Sequence, residues 1–403
     1  MKWKRNVIVF LASQSVSLLG SSLVQFAITW YITMTTQSGM AMTISVICGY
    51  LPQLFVSLFA GVWADRYDRK KIIMVADGIT AASTAAVAAL FALGYREIWL
   101  LYLVSAVRAF GGAIQSPTVS AVIPSITPRE HLMRVNAVNG SIQSLLTLAA
   151  PALGGVILTA LGTIEAVFMI DVVTAAIAIF CIAAFLRVDR QPEAAGGSSS
   201  YTREIREGLS YIRGHRLLLH LFVYTTLVSF MIAPIAMLVP LQIVRIYGDA
   251  VWYVSGAQVA LALGMLAGGL LMSIWGGFKN RLHTMLAAVW GVGTMMILAG
   301  FPIPFFAYLA CIFIAGFSVP LFLTPVNVIL QERVENQYLG RIFSVMSMIS
   351  GSMTPLGMLV FGPLADRVPI SWLLIGTGIA TLGTGIVLRL DKVAMEAGVR
   401  KAS

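Results

Sequence analysis

The chain has 403 residues, 58% of them hydrophobic and 11% charged, with a formal net charge of +10. A soluble globular protein is about 45–50% apolar and about 25% charged, so this chain cannot cover its own surface with polar groups. A water-soluble enzyme and a free nucleic-acid binder are thereby excluded, and the positive excess points to a lipid surface.

A bilayer-spanning helix needs roughly 20 mostly apolar residues. Twelve such stretches are predicted, at about 7–34, 41–64, 72–94, 98–122, 138–161, 164–186, 217–244, 251–276, 283–300, 302–330, 342–365 and 369–388. The first follows Met-Lys-Trp-Lys-Arg, but its apolar run exceeds the 7–15 residues of a signal peptide core and is expected to stay as an uncleaved span. Cations fall in alternate connections. The start, the even-to-odd loops and the end hold 23 of the 27 Lys and Arg, the opposite set holds Arg96, Arg245 and Arg367, and Arg108 lies inside a span. The positive-inside rule then places both termini in the cytoplasm, as an even number of spans requires.

Along the chain, polar residues gather on particular faces. In the first span Gln14, Ser17, Ser21 and Gln25 are three or four residues apart and share one side; Asn136, Asn139, Gln143 and Thr147 do so in the fifth. Gln14, Ser21, Gln25, Asn139 and Gln143 are candidates to line a cavity or a helix contact. Between spans two and three stands Gly61-Val-Trp-Ala-Asp65-Arg66-Tyr-Asp-Arg69-Lys70-Lys71. Arg108 sits about ten residues into span four, roughly 15 Å deep, where an ionised side chain reads as functional by default; a structural anchor for backbone carbonyls is the alternative. Its possible acid partners inside the bilayer are Asp77 and Asp171, and the sequence does not choose between them. Span five carries Pro151-Ala-Leu-Gly154-Gly155. Thr127-Pro128-Arg-Glu130 has capping-box spacing and predicts a short helix start.

The interval 187–216 has flexible-linker chemistry in its middle, followed by Ile205, Leu209 and Ile212 at helical spacing among arginines. The expected organisation is a bundle over 1–187, a linker with a short amphipathic helix over 188–216, and a second bundle over 217–403. The halves echo each other weakly: Leu132 and Arg134 match Leu339 and Arg341, which predicts a substrate site near the bilayer midplane. Gly362-x-x-x-Asp366-Arg367 repeats the spacing of Gly61-x-x-x-Asp65-Arg66 on the outer side. The three cysteines and four histidines form no metal spacing, and no phosphate-binding loop is present, so neither a cofactor nor a metal is expected.

The Gly61 to Lys71 loop strongly resembles the signature of the major facilitator superfamily, although Asp68 stands where that family usually has a second glycine. Gln25-Phe-Ala-Ile-Thr-Trp30-Tyr and Phe168-Met-Ile-Asp171 look most like its drug:proton antiporter group, which contains bacterial macrolide-efflux proteins. The resemblance implies an all-α membrane protein of twelve transmembrane helices in two pseudo-symmetric six-helix bundles. It implies a monomer in the bacterial plasma membrane that exports amphipathic small molecules against protons. It makes Gly61, Asp65, Arg66, Arg69 and Lys70 a conformational latch. Arg108-Ala-Phe-Gly-Gly112 resembles an element linked to proton coupling, and Pro151, Gly154 and Gly155 part of an antiporter packing element. An exporter of one metabolite, such as a siderophore, is the alternative; a membrane-embedded lipid-modifying enzyme is a remote one, for which no catalytic cluster is found.

Overall fold

The computed structural model describes residues 2–186 and 201–397, with the side chains of residues 2, 58–66, 201–205, 336 and 397 left aside. All regular structure among the described residues is helical: α1 (Lys2–Thr36), α2 (Gly39–Arg66), α3 (Arg69–Ala92), α4 (Ile98–Ile126), α5 (Leu132–Leu161), α6 (Ile164–Phe185), α7 (Tyr201–Gly214), α8 (Arg216–Met231), α9 (Ala233–Met237), α10 (Val239–Ile246), α11 (Val251–Trp275), α12 (Arg281–Ala299), α13 (Phe305–Arg333), α14 (Asn336–Ala365), α15 (Ile370–Leu390) and α16 (Lys392–Ala397). Lipid offers backbone groups no hydrogen bonds, so each crossing segment must satisfy its own, and a helix does.

Eleven of the described helices are long and apolar enough to cross a membrane, and the chain is a multi-pass membrane protein. The seventh expected span, 217–244, is in three pieces, α8, α9 and α10. Pro234 and Pro240 explain the breaks, since each lies in the first turn of a new helix, where its missing N–H costs nothing.

The chain folds into two compact units, Met1–Thr36 with Ile44–Gly197, and Gln37–Thr43 with Ser198–Ser403. In the first, α1 packs on α4, α5 and α6, and α3 on α4 and α6. Phe10, Ile73, Val122 and Ile182 are fully or nearly fully buried in one of its core clusters. In the second, α11 and α12 flank α13, and α14 carries α7, α8 and α9. The amphipathic helix α7 belongs to this unit. Ile212 enters the core, Tyr211 stacks on Tyr338 with ring centres 4.4 Å apart, and Glu207 pairs with Arg341 at 3.0 Å. The capping box at Thr127 is not made: a single 3-10 turn, Arg129–His131, precedes α5, with no side-chain cap. Thr127 Oγ1 is instead buried without a hydrogen-bond partner among the described residues, because Thr127 ends α4 rather than starting a new helix.

Backbones approach closely where α11 meets α13. A Cβ on Gly264 would lie 2.1 Å from the carbonyl oxygen of Phe313, whereas one on Gly269 would meet nothing within 4 Å. Gly264→Ala should therefore destabilise the protein by about 1–3 kcal/mol, the usual cost of overpacking. Gly269→Ala should be neutral or slightly stabilising, and thermal unfolding in detergent measures both.

Candidate functional site

Four helices of the first unit bring polar side chains into its interior. On α3, Asp77 and Thr84 are seven residues apart; on α4, Arg108 and Gln115 are also seven apart. Seven residues are nearly two turns, so each pair shares a face and is separated by about 10 Å along its helix. The helices are consecutive and run in opposite directions, so Thr84 meets Arg108 and Asp77 meets Gln115. The result is two layers.

In one layer Arg108 is buried against Asp171 of α6, Nη1 to Oδ2 2.6 Å, with side-chain exposures of 7% and 2%. Arg108 also donates to Thr84 Oγ1 at 2.7 Å and to the Ser21 carbonyl of α1 at 3.1 Å, while Ser21 Oγ donates to Asp171 Oδ1 at 3.4 Å. Gly20 permits this closeness, since a Cβ there would lie 2.1 Å from Thr174 Oγ1. A guanidinium is always charged, and here each contact is a charge-assisted or carbonyl bond.

In the other layer Asp77 Oδ1 accepts from Ser17 Oγ at 3.0 Å and Gln115 Nε2 at 2.9 Å, and Gln115 Nε2 also faces Gln14 Oε1 at 3.2 Å. Asp77 Oδ2 and Gln14 Nε2 are buried with no hydrogen-bond partner among the described residues. Between charges about 10 Å apart the interaction at an effective dielectric of 20 is only about 1.7 kcal/mol, so Arg108 belongs to Asp171 and leaves Asp77 largely to its amide and hydroxyl neighbours.

The other expected residues lie apart from this cluster. Gln25 and Gln143 are exposed and Asn139 half-buried. Pro151, Gly154 and Gly155 are buried on α5, where a Cβ on Gly154 would lie 2.6 Å from the Phe26 ring of α1. Of the latch residues, Gly61, Asp65 and Arg66 have side chains outside those described. Arg69 donates to the Ala121 carbonyl at 3.0 Å, and Lys70 Nζ to the carbonyls of Ala183 and Leu186, both at 2.9 Å, closing the end of α6. Asp68, the departure from the signature, is the N-cap of α3 and accepts from the N–H groups of Lys70 and Lys71. Thr84 and Gln115 went unnoticed in the sequence. Their seven-residue offsets from Asp77 and Arg108 are the signal that finds them.

The Major Facilitator Superfamily model matches residues 10–358, and the chain belongs to that family. It is similar to macrolide efflux protein A of Streptococcus pyogenes, with 30% identity over 93% of both chains. It is also similar to the multidrug efflux pump Tap of Mycolicibacterium fortuitum, at 25% identity over 91% of each. The fold matches the solved structure of the POT family transporter PepTSo with a TM-score of 0.75 and 12% identity, over 97% of this chain and 98% of that one.

Arg108→Ala leaves the Asp171 carboxylate buried and unpaired, and should cost about 3–5 kcal/mol. Joint replacement, Arg108→Met with Asp171→Leu, should recover most of that loss. Thermal unfolding of the purified single and double variants tests both outcomes.

Proposed function

We propose that the protein is a proton-driven exporter of amphipathic compounds, macrolides among them, working by alternating access in the bacterial plasma membrane. In this reading both termini lie in the cytoplasm, α8–α10 act as one broken seventh span, the carrier works as a monomer, and it catalyses no chemical transformation. The positive-inside distribution supports the orientation. The named efflux relatives support the substrate class.

The observation that carries the reading is a pair of buried acids of which only one, Asp171, is matched by the buried cation Arg108. Asp171 is matched by Arg108 at 2.6 Å. Among the described residues Asp77 has hydrogen bonds on Oδ1 alone, and Oδ2 meets no donor. An isolated carboxylate is costly to bury, and a proton on Oδ2 removes that cost. Asp77 is thus the coupling carboxyl, loaded with a proton in the arrangement seen here, and Arg108–Asp171 is the fixed pair that keeps the rest of the interior neutral. Loss of the proton leaves a negative charge that the site does not compensate, which drives the unit toward an arrangement where Asp77 meets water. Arg69 and Lys70, tied to the ends of α4 and α6, give that rearrangement a rigid frame.

Reconstituted vesicles loaded with a fluorescent macrolide should lose it only under a proton gradient. Asp77→Asn should reduce gradient-driven efflux by tenfold or more while keeping substrate exchange at equal concentrations, since binding survives and coupling does not. Gradient-independent efflux, with Asp77→Asn fully active, would overturn the proposal. Competition by unrelated amphipathic compounds separates a broad exporter from a carrier of one metabolite.

A further inference from the structure

The Gly362-x-x-x-Asp366-Arg367 run has a partner that the transport reading does not use. Gln37–Thr43 belongs to the second unit, although the chain on either side of it belongs to the first. This strap contains the start of α2, whose first N–H groups need acceptors. Asp366, just past α14, accepts from Gly39 N at 2.6 Å, Met40 N at 2.9 Å and Ser38 Oγ at 2.8 Å. Ser38 Oγ accepts from Ala41 N at 3.3 Å, and Met42 N bonds to the Ser38 carbonyl at 3.2 Å. The first turn of α2 is therefore fully satisfied, in part by a carboxylate 327 residues away in sequence from Gly39.

Arg245, in the last turn of α10, completes the arrangement. It lies 3.1 Å from Asp366 and donates to the carbonyls of Gln37 at 2.5 Å and Ala365 at 2.7 Å. The backbones touch as well: a Cβ on Gly39 would lie 2.1 Å from the Gly362 carbonyl oxygen, and Thr43 Oγ1 donates to the Met358 carbonyl at 3.1 Å. An anion at a helix N-terminus, backed by a guanidinium, is a strong but directional fastening.

We propose that Asp366 and Arg245 form a clasp that holds the Gln37–Thr43 strap on the second unit in one transport state and frees it in the other. These two residues then set the balance between the states, in a role separate from proton binding at Asp77. The idea rests on the alternating-access reading above. Burial pushes the Asp366 carboxyl up, but bonds from Met40, Gly39, Ser38 and Arg245 outweigh it and hold the group below its ordinary value. A depressed carboxylate gives its stabilisation above its unfolded value and loses it as pH falls through the lowered one. Arg245, the charge that faces it, stays cationic throughout, so between about pH 5 and 8 protons do not open the clasp.

The test places spin labels at Met40→Cys and Arg367→Cys, both exposed, after Cys48, Cys181 and Cys311 are replaced by Ser. Pulsed distance measurements in nanodiscs should show a dominant short distance that is unchanged from pH 8 to pH 5. Asp366→Asn should lower the short-distance population by about tenfold or more, the scale of losing bonds to a charged group. Asp366→Glu should restore part of it. Should Asp366→Asn not fold, Arg245→Gln keeps the helix cap intact and should release the strap to a lesser degree. An undiminished short distance in Arg245→Gln and Asp366→Asn, or a short population that titrates between pH 5 and 8, overturns the clasp. Macrolide efflux measured on the same labelled protein separates the two claims. A clasp that opens on mutation in a protein that moves no macrolide sinks the export reading alone. A strap that never leaves during active efflux sinks the clasp alone.

Discussion

A guanidinium inside a helical membrane protein cannot shed its charge and has no water to solvate it, so its surroundings must supply every bond. Arg108 imposes that demand on the first unit. Asp171 on α6, Thr84 on α3 and the Ser21 carbonyl on α1 all turn toward it, and Gly20 keeps α1 close enough to do so. One cation thereby fixes the mutual placement of four helices. Asp77, on the same α3 face as Thr84, then falls where only neutral groups reach it.

The molecule holds its acids under contrasting conditions. Among the described residues Asp171 is neutralised by a buried cation, Asp77 has one oxygen engaged and one that meets no donor, and Asp366 is surrounded by donors. Hydrogen-bond supply, rather than residue type, gives these three acids their different settings, and in the proposed mechanism makes them a fixed charge, a proton carrier and a fastening. In that proposed mechanism, energy input and conformational bias fall to different parts of the chain.

Much of the fold was legible because lipid makes simple demands: apolar length reads directly as a span. The break at α8–α10 was the exception. Pro234 and Pro240 look harmless in a long apolar run until their spacing leaves no uninterrupted helix long enough to cross. Within the site, Arg108, Asp77 and Asp171 stood out by charge alone. The choice of Asp171 as the partner of Arg108 did not, since it depends on which helices touch. Thr84 and Gln115 were hidden among ordinary polar residues. The clasp was half visible: Gly362 and Asp366 formed a spacing, but an N-terminal turn as the partner leaves no chemical mark in a sequence. Asp68 looked like a flaw in a signature and is a helix cap.

The two-layer arrangement has a consequence for how this chain can change over time. Each layer depends on residues seven apart on α3 and on α4, and one residue turns a helix by about 100°. A single insertion or deletion between Asp77 and Thr84, or between Arg108 and Gln115, would rotate one layer out of the interior while leaving the other in place. Point substitutions on the lipid-facing sides carry no such penalty. Changes in length should therefore be tolerated better in the turns, such as 93–97 between α3 and α4, than inside the two helices.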